Sequence, residues 1–454
     1  MKRNLQVFRL MVFLLTLPLA GSVVARDLSL SEAVRRGLET SPDLRMGRAD
    51  LRKAEAEKAA SVAGMAPRLS IESKVFYWDS ATDMTFDLPP DLIAFIQTVL
   101  PSDQTLSTSM DFQVMERLTG EVVLQAVQPL SPLYSLANAY LARKAAHLAA
   151  LYNQEADRNT ARHNVTEAFF RLRSVTSMVG VARLGVEQVK AHIKTARAFH
   201  KAGIVGRDDV LRAETALARV QEQLSRAENG ETLARVALNM AVGLPPGEDT
   251  NPVGQFQEDP PPWGSTLQES IDKALANRPE IAAVGQQVEA ADAGRKAMIG
   301  ALVPTLSAVF RYNYQKGNLF QQEQNYFVGG VLTWNFWQWG EQWYRMKATQ
   351  ALRDKALAGM EKARLGITLD VTKAWTDIRT ARASIAMNRK AIESAQENLR
   401  VVTKKYEASA ATSVEVLDAQ SDLNQSRSAY QVGLFTYHTA RSNLERAIGE
   451  GVDR

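Results

Sequence analysis

The sequence predicts a mainly α-helical protein that also carries transmembrane β-strands, and three observations support this. The 454-residue chain is written twice, each copy holds a very long helix with a 3.5-residue apolar period, and each copy holds two strands of alternating polarity. Composition agrees. With 23% charged residues the chain is too polar for a polytopic helical membrane protein, whose spans need repeated runs of ~20 apolar residues. With 45% apolar residues it is too hydrophobic to remain disordered. The net charge of +4 does not indicate a nucleic-acid partner. Lys2, Arg3 and Arg9 lie in the first 25 residues, where there is no acid, so the rest carries 51 bases against 50 acids.

Residues 1–25 have a basic start, an apolar centre from Leu10 to Ala20 and a small-residue site at Val23-Val24-Ala25. This is the pattern of a secretory signal peptide, and the apolar centre is too short for a spanning helix. No cysteine occurs anywhere, which excludes disulfides, thiolate metal sites and lipid attachment after cleavage.

The repeat organises the remainder. At an offset of 237, Leu30 matches Leu267, Pro42 matches Pro279, and Pro67-Arg68-Leu69 matches Pro304-Thr305-Leu306. Beyond that point the offset is 206: Val165 meets Val371, Phe169 meets Trp375, Val210-Leu211 meets Val416-Leu417, and Gly243 meets Gly449. The two repeats span 28–244 and 265–450, joined by a Pro/Gly-rich linker at 245–264 that contains Pro260-Pro261-Pro262. The change of offset gives the first repeat 31 extra residues, expected as a long extracellular loop at about 78–121. This insertion holds Pro89-Pro90 and a short apolar helix with Leu92, Phe95, Val99 and Leu100, ended by Pro101. That helix either caps an outer mouth or packs on its own loop.

Each repeat reads helix, strand, strand, long helix, helix. Counting from Trp343 in alternate steps of three and four, fifteen of nineteen stations are apolar, among them Ile367, Val371, Ala374, Ile378, Ala381 and Ile385. The rhythm continues through Ile392, Ala395, Leu399, Val402 and Tyr406, which is coiled-coil packing. Residues 137–200 repeat it with Leu151, Val165, Leu172, Val179, Val186 and Ile193. At 1.5 Å per residue such helices extend ~95–100 Å. The return helices at about 207–241 and 412–448 keep the seam, with Arg427 and Arg441 interrupting it.

Between helices the period changes to two. Leu306, Ala308, Phe310, Tyr312 and Tyr314 alternate with Thr305, Ser307, Val309, Arg311 and Asn313. Val328, Gly330, Leu332, Trp334 and Phe336 share a face of the next strand. In the first repeat Leu69, Ile71, Val75 and Tyr77 alternate with Arg68, Ser70, Glu72 and Lys74, and Val122, Leu124 and Ala126 follow. Runs of about ten residues with this alternation have the length of transmembrane strands. Trp334, Trp337 and Trp339 cluster at one end, as an interfacial aromatic belt does. Four strands cannot close a barrel in lipid, where an open edge leaves backbone groups unpaired, so several chains must contribute.

The duplicated plan resembles the TolC-like outer-membrane efflux protein family, as do the Pro-led strands and the segments Ala202-Gly203-Ile204-Val205, Asp209-Val210-Leu211, Tyr406-Glu407-Ala408-Ser409 and Val414-Glu415-Val416-Leu417-Asp418-Ala419. The likeness covers 28–450. It implies duplicated coiled-coil helices forming an α-barrel, and four strands per chain in a trimeric 12-stranded barrel. It implies an outer-membrane location with a long periplasmic extension, and as partners a periplasmic adaptor (membrane fusion) protein and an inner-membrane pump. It places gate acids at Glu415 and Asp418, three apart on one helix face, which symmetry would repeat as a carboxylate ring. The residue-level alternative is a solvated helix start, where acids suit the dipole. The tips at Gly203, Ile204, Val205, Asp209, Ser409 and Ala411 are the expected adaptor-docking residues. Ala411 stands where family members with a well-locked gate often carry arginine.

No nucleophile motif, phosphate loop or ligand-spaced histidine pair accompanies this pattern, so no enzyme, cofactor or metal is expected. The leading expectation is a passive exit duct of a tripartite efflux or type I secretion system. The alternative is an exported coiled-coil structural or adhesion protein without a pore.

Overall fold

A computed structural model of the protein describes residues 26–99, 108–254, 261–300 and 302–450. The expected signal peptide, Leu100-Pro101 and linker residues 255–260 lie outside them. The elements in chain order are β1 (Arg26–Ser29), α1 (Leu30–Thr40), α2 (Pro42–Ala63), β2 (Arg68–Tyr77), β3 (Thr82–Asp87), α3 (Pro90–Val99), β4 (Ser109–Pro129), α4 (Leu133–Lys201) and α5 (Arg207–Ala241). Then follow β5 (Thr250–Val253), α6 (Leu267–Asn277), α7 (Pro279–Gly300), β6 (Thr305–Asn318), β7 (Gln324–Thr333), α8 (Glu341–Glu407) and α9 (Ser413–Ala447). They form two compact units, a helical one (residues 26–45, 156–278 and 367–450) and a sheet-bearing one (46–155 and 279–366).

The opening helix of each repeat, expected as one, is two. Ser41 and Arg278 leave the helical region at ψ 125° and 126°, each just before a proline. The proline ring excludes helical backbone in the residue before it, so the same break recurs at Pro42 and Pro279.

The helical unit is a coiled coil with a small parallel sheet. On α8 the buried positions Ile367, Val371, Ala374, Ile378, Ala381 and Ile385 follow the four-three spacing. Ile392, Ala395, Leu399 and Val402 keep the rhythm but stay half-buried in a single chain. On α4, Val165, Phe169, Leu172, Val179, Val186 and Ile193 are buried. A second core joins α1 to α4 and α5 through Leu28, Ala33, Val165, Phe169, Leu238 and Val242. Gly37 allows the close approach there, since a Cβ on it would lie 2.4 Å from Val165 Cγ2. Beside this core β1 pairs in parallel with β5, Arg26 opposite Thr250 and Ser29 opposite Val253. The fully buried Asn239 holds β5 in place, donating to the Glu248 carbonyl (2.8 Å) and accepting from Thr250 Oγ1 (2.6 Å). The linker expected at 245–264 therefore contains a strand.

Helix ends show the duplication at the level of single hydrogen bonds. After α4, Gly203 (φ 72°) donates to His200 and Ile204 to Phe199. After α8, Ser409 (φ 60°) donates to Tyr406 and Ala410 to Lys405. Gly243 and Gly449 close α5 and α9 in the same way. This is the Schellman arrangement, which places one residue in the left-handed region and favours glycine there. Three of the four positions are glycine; Ser409 is the strained exception.

In the sheet-bearing unit the strand order is β2-β4-β6-β7, antiparallel throughout, with β3 pairing the N-terminal part of β4. The insertion expected as a loop at 78–121 is thus largely built. Thr82–Asp87 is a strand, Pro90–Val99 a helix, and β4 runs 21 residues to Pro129. The alternation of Met84 and Phe86 with polar neighbours suffices to pair this ribbon with Met110 and Phe112. Two further details differ from expectation. Strand β7 ends at Thr333, leaving Trp334 and Phe336 beyond it. Leu151 is 43% exposed while Ala145 and Ala149 are buried, so the α4 seam is displaced in its first third.

Two expectations follow. Replacing Ser409 by glycine should raise stability by about 0.5–1 kcal/mol, the relief of left-handed strain less the added unfolded-state entropy. A thermal melt followed by helical circular dichroism checks this. The second concerns His438, stacked on Phe170 at 4.5 Å. Burial, and then the Arg441 guanidinium, push its imidazole down to about 4. The unfolded chain takes up that proton near pH 6.5, so stability is intact above this pH and falls as pH drops toward 4, by at most about 3 kcal/mol. His438→Phe should flatten that acid limb in melts run from pH 7.5 to 4.

Candidate functional site

Two regions carry the expected site residues, one in each unit. In the helical unit both hairpin tips are exposed turns. The first, Ala202 to Gly206, keeps Gly203 and Ile204 in solvent, and the His200 Nδ1–H donates to the Val205 carbonyl (3.1 Å). Nothing lies within 4 Å of a Cβ placed on Gly203, so only its backbone angle demands glycine. Asp209 is half-buried in the first turn of α5, beside the Asp208–Arg212 pair (3.9 Å). The second tip, Ala408 to Thr412, exposes Ser409 and half-buries Ala411.

At the start of α9, Thr412 and Glu415 form a reciprocal capping box. The Glu415 amide donates to Thr412 Oγ1 (3.3 Å), and the Thr412 amide donates to Glu415 Oε1 (3.2 Å). Glu415 is therefore a structural cap as well as an exposed carboxylate. Asp418 lies one turn on and is also exposed, whereas Val416, Ala419 and Gln420 face inward. The structure places the two acids on one solvent-facing side of α9. Their counterparts at the same repeat positions, Asp209 and Arg212, carry opposite charges.

Behind the tips lies a cluster that sequence reasoning did not single out. His192 Nε2 is 2.7 Å from Ser413 Oγ, and its ring sits 5.0 Å from the buried Tyr406, on which Phe199 stacks at 5.6 Å. This joins α4 to α8 and α9. Burial lowers the His192 pKa and raises that of Tyr406, with the Asp209 carboxylate raising both. The only sequence signal was that His192 adjoins the seam residue Ile193, and a contact across 221 residues leaves no local trace.

In the sheet-bearing unit the site is a surface. Leu69, Ala126, Phe310 and Val328 stand in one row across the four strands, and Ile71, Leu124, Tyr312 and Tyr326 in the next. Leu69, Ile71, Tyr326 and Val328 are each more than 70% exposed. On the opposite face Ser70, Gln125 and Arg311 form a row that ends at Phe327, the next row is Glu72, the buried Val123, Asn313 and Asn325, and Arg311 reaches Glu121 at 3.9 Å. A sheet in water hides its apolar face; this one presents it.

Just past β7 the aromatic segment is also outside. Trp334, Trp337 and Trp339 are all more than half exposed, as are Phe336, Trp343 and Tyr344. Trp334 meets Phe336 at 5.9 Å, Trp337 meets Trp339 edge-on at 5.6 Å, and Lys347 Nζ sits 5.3 Å from the Trp343 ring. Rings with a lysine reaching past them suit a boundary between hydrocarbon and water. Among the described residues no helix is long and apolar enough to cross a membrane, and no group of three or more His, Asp or Glu could hold a metal ion.

Comparison with known proteins agrees with this geometry. The family model for outer membrane efflux proteins matches residues 33–244 and 270–450. The outer membrane efflux protein BepC of Brucella suis is 24% identical over 315 residues, 68% of this chain and 67% of its own. The pyoverdine export outer membrane protein OpmQ of Pseudomonas aeruginosa is 23% identical over 318 residues, with the same coverage. Among solved structures, the outer-membrane channel OprN superposes with a TM-score of 0.77 at 17% identity, covering 93% of this chain and 90% of that one. The CmeC channel of Campylobacter jejuni gives 0.76 at 15%, covering 92% and 85%. In fold the chain is TolC-like, with long helices and a β part. With matched segments spanning both repeats, the chain belongs to the outer membrane efflux protein family.

Proposed function

We propose that three copies of this chain form a passive exit duct, each giving four strand rows to a 12-stranded outer-membrane barrel and its long helices to a periplasmic tunnel. The observation that carries this reading is the apolar face across β2, β4, β6 and β7, exposed in the single chain and backed by a face that carries Ser70, Glu72, Gln125, Arg311 and Asn313. Lipid would cover the first and a water-filled lumen the second. The half-buried seam stations on α8 and the unpaired strand edges call for neighbouring copies in the same way. Exported coiled-coil scaffolds, the rival class, have no use for such a sheet.

In this assembly Trp334, Trp337 and Trp339 sit at the membrane interface. The tips with Gly203, Ile204, Val205, Asp209, Ser409 and Ala411 meet a periplasmic adaptor, which connects the duct to an inner-membrane pump. Exposed Gly203, Ile204 and Ser409 at backbone-bonded turns fit such a docking role. Glu415 and Asp418 line the periplasmic entrance, where three copies of each make a cation-attracting ring.

The mass of the protein in mild detergent, corrected for bound detergent, tests the assembly: three chains per particle are expected, and a soluble monomer would rule the duct out. The entrance is tested in planar bilayers under a salt gradient. Glu415→Gln keeps the capping box, because glutamine serves at that position too, yet removes the charge. Glu415→Gln with Asp418→Asn should move the reversal potential toward zero, each alone giving part of the shift. An unchanged potential in the double variant would leave the two acids as ordinary helix-start residues.

A further inference from the structure

The helical unit contains a cavity of ≈ 1210 Å³ between α1, α4 and α9, with Trp263 in its wall. Its apolar lining comes from Leu30, Val34 and Leu38 of α1 and Phe170 of α4. Its charged lining is unbalanced. The lining acids are already engaged: Glu445 accepts from Arg441 (3.0 Å) and Glu450 pairs with Lys273 (3.3 Å). Arg35 is held by Glu32 and Glu39. Arg162 from α4 and Arg446 from α9 also line the cavity, and neither has an ion-pair partner among the described residues.

The local field points the same way. After burial, Arg446 is the next cause that lowers the His163 pKa, and Arg441 the next for His438, so both lining imidazoles are disfavoured as cations. Among the described residues, the lining offers no free negative charge beside its apolar wall.

We propose that this cavity binds a small amphipathic organic anion, its acidic head held by Arg446 and Arg162 and its apolar body lying on the α1 wall. The head would supply the counter-charge that Arg446 and Arg162 lack among the described residues. A charge-assisted hydrogen bond fixes the head, while Phe170 and the α1 leucines give the body a dry surface. This explains a feature the seam pattern left open. Arg441 interrupts the apolar stations of α9 because that face borders a cavity instead of another helix.

The test uses the full-length protein in mild detergent, dialysed to equilibrium against 2-naphthoate and, in parallel, against 2-naphthylmethanol. Equal micelle concentrations on both sides cancel partition into detergent. The acid should be retained at about one per chain and the alcohol at least about tenfold more weakly. Arg446→Gln and Arg162→Gln should each weaken retention of the acid by about tenfold, the loss of one charge-assisted bond, without changing that of the alcohol. The two variants sit on different helices, so misfolding of one leaves the other as the measurement. Equal retention of acid and alcohol, or undiminished retention in a folded variant, would reduce the site to apolar partition and overturn the proposal. Retention of neither probe would leave the cavity to water and overturn it equally.

Discussion

A backbone amide or carbonyl without a partner costs several kcal/mol in hydrocarbon, and this constraint governs what the β part of the chain can be. The sheet satisfies it internally along three antiparallel seams, but β2 with β3 on one side and β7 on the other remain as edges. The alternation of side chains then follows. An apolar face left open in the single chain is the inverse of a soluble sheet, and a one-residue slip in any strand would interchange the two faces. The bonded register from Arg68 to Tyr77 and from Thr305 to Tyr314 is therefore as much a statement about solvent as about pairing. The helices obey a softer rule, an apolar stripe repeating every 3.5 residues that a neighbour must cover.

Much of this was legible in the sequence because it is periodic. The seam from Ile367 to Ile385 and the return helices α5 and α9 could be read directly, since an apolar period is a local signal. The proline breaks at Pro42 and Pro279 were visible as residues but not as helix ends, since each break interrupts a pattern that resumes at once. Strand β3 was hidden within an insertion that has no counterpart in the second repeat. Contacts distant in sequence left no mark: His192 with Ser413, the arginines of the cavity, and the pairing of β1 with β5. Both tips were found, but the capping role of Glu415 emerged only with the geometry.

Duplication preserved backbone more faithfully than chemistry. Gly203 and Ser409 share a left-handed conformation, as do Gly243 and Gly449, while Asp209 and Arg212 of one repeat stand where Glu415 and Asp418 stand in the other. The helical frame tolerates charge changes on its exposed faces because they leave the seam untouched. Each tip can thus be altered electrostatically without altering the turn that presents it.

The short parallel pair formed by β1 and β5 bears on the order in which the molecule is made. Asp27 and Asn251 are 224 residues apart, yet the Asn251 amide reaches the Asp27 carboxylate at 2.9 Å. The first described strand therefore has no partner until about half of the chain's length has followed it. Until then Leu28, fully buried in the finished protein, can rest only on the α1, α4 and α5 core of its own repeat. Loop closure over such a span is slow relative to helix formation. The long helices of the first repeat can wind while β1 waits, and arrival of the linker strand fastens the beginning of the chain to its middle.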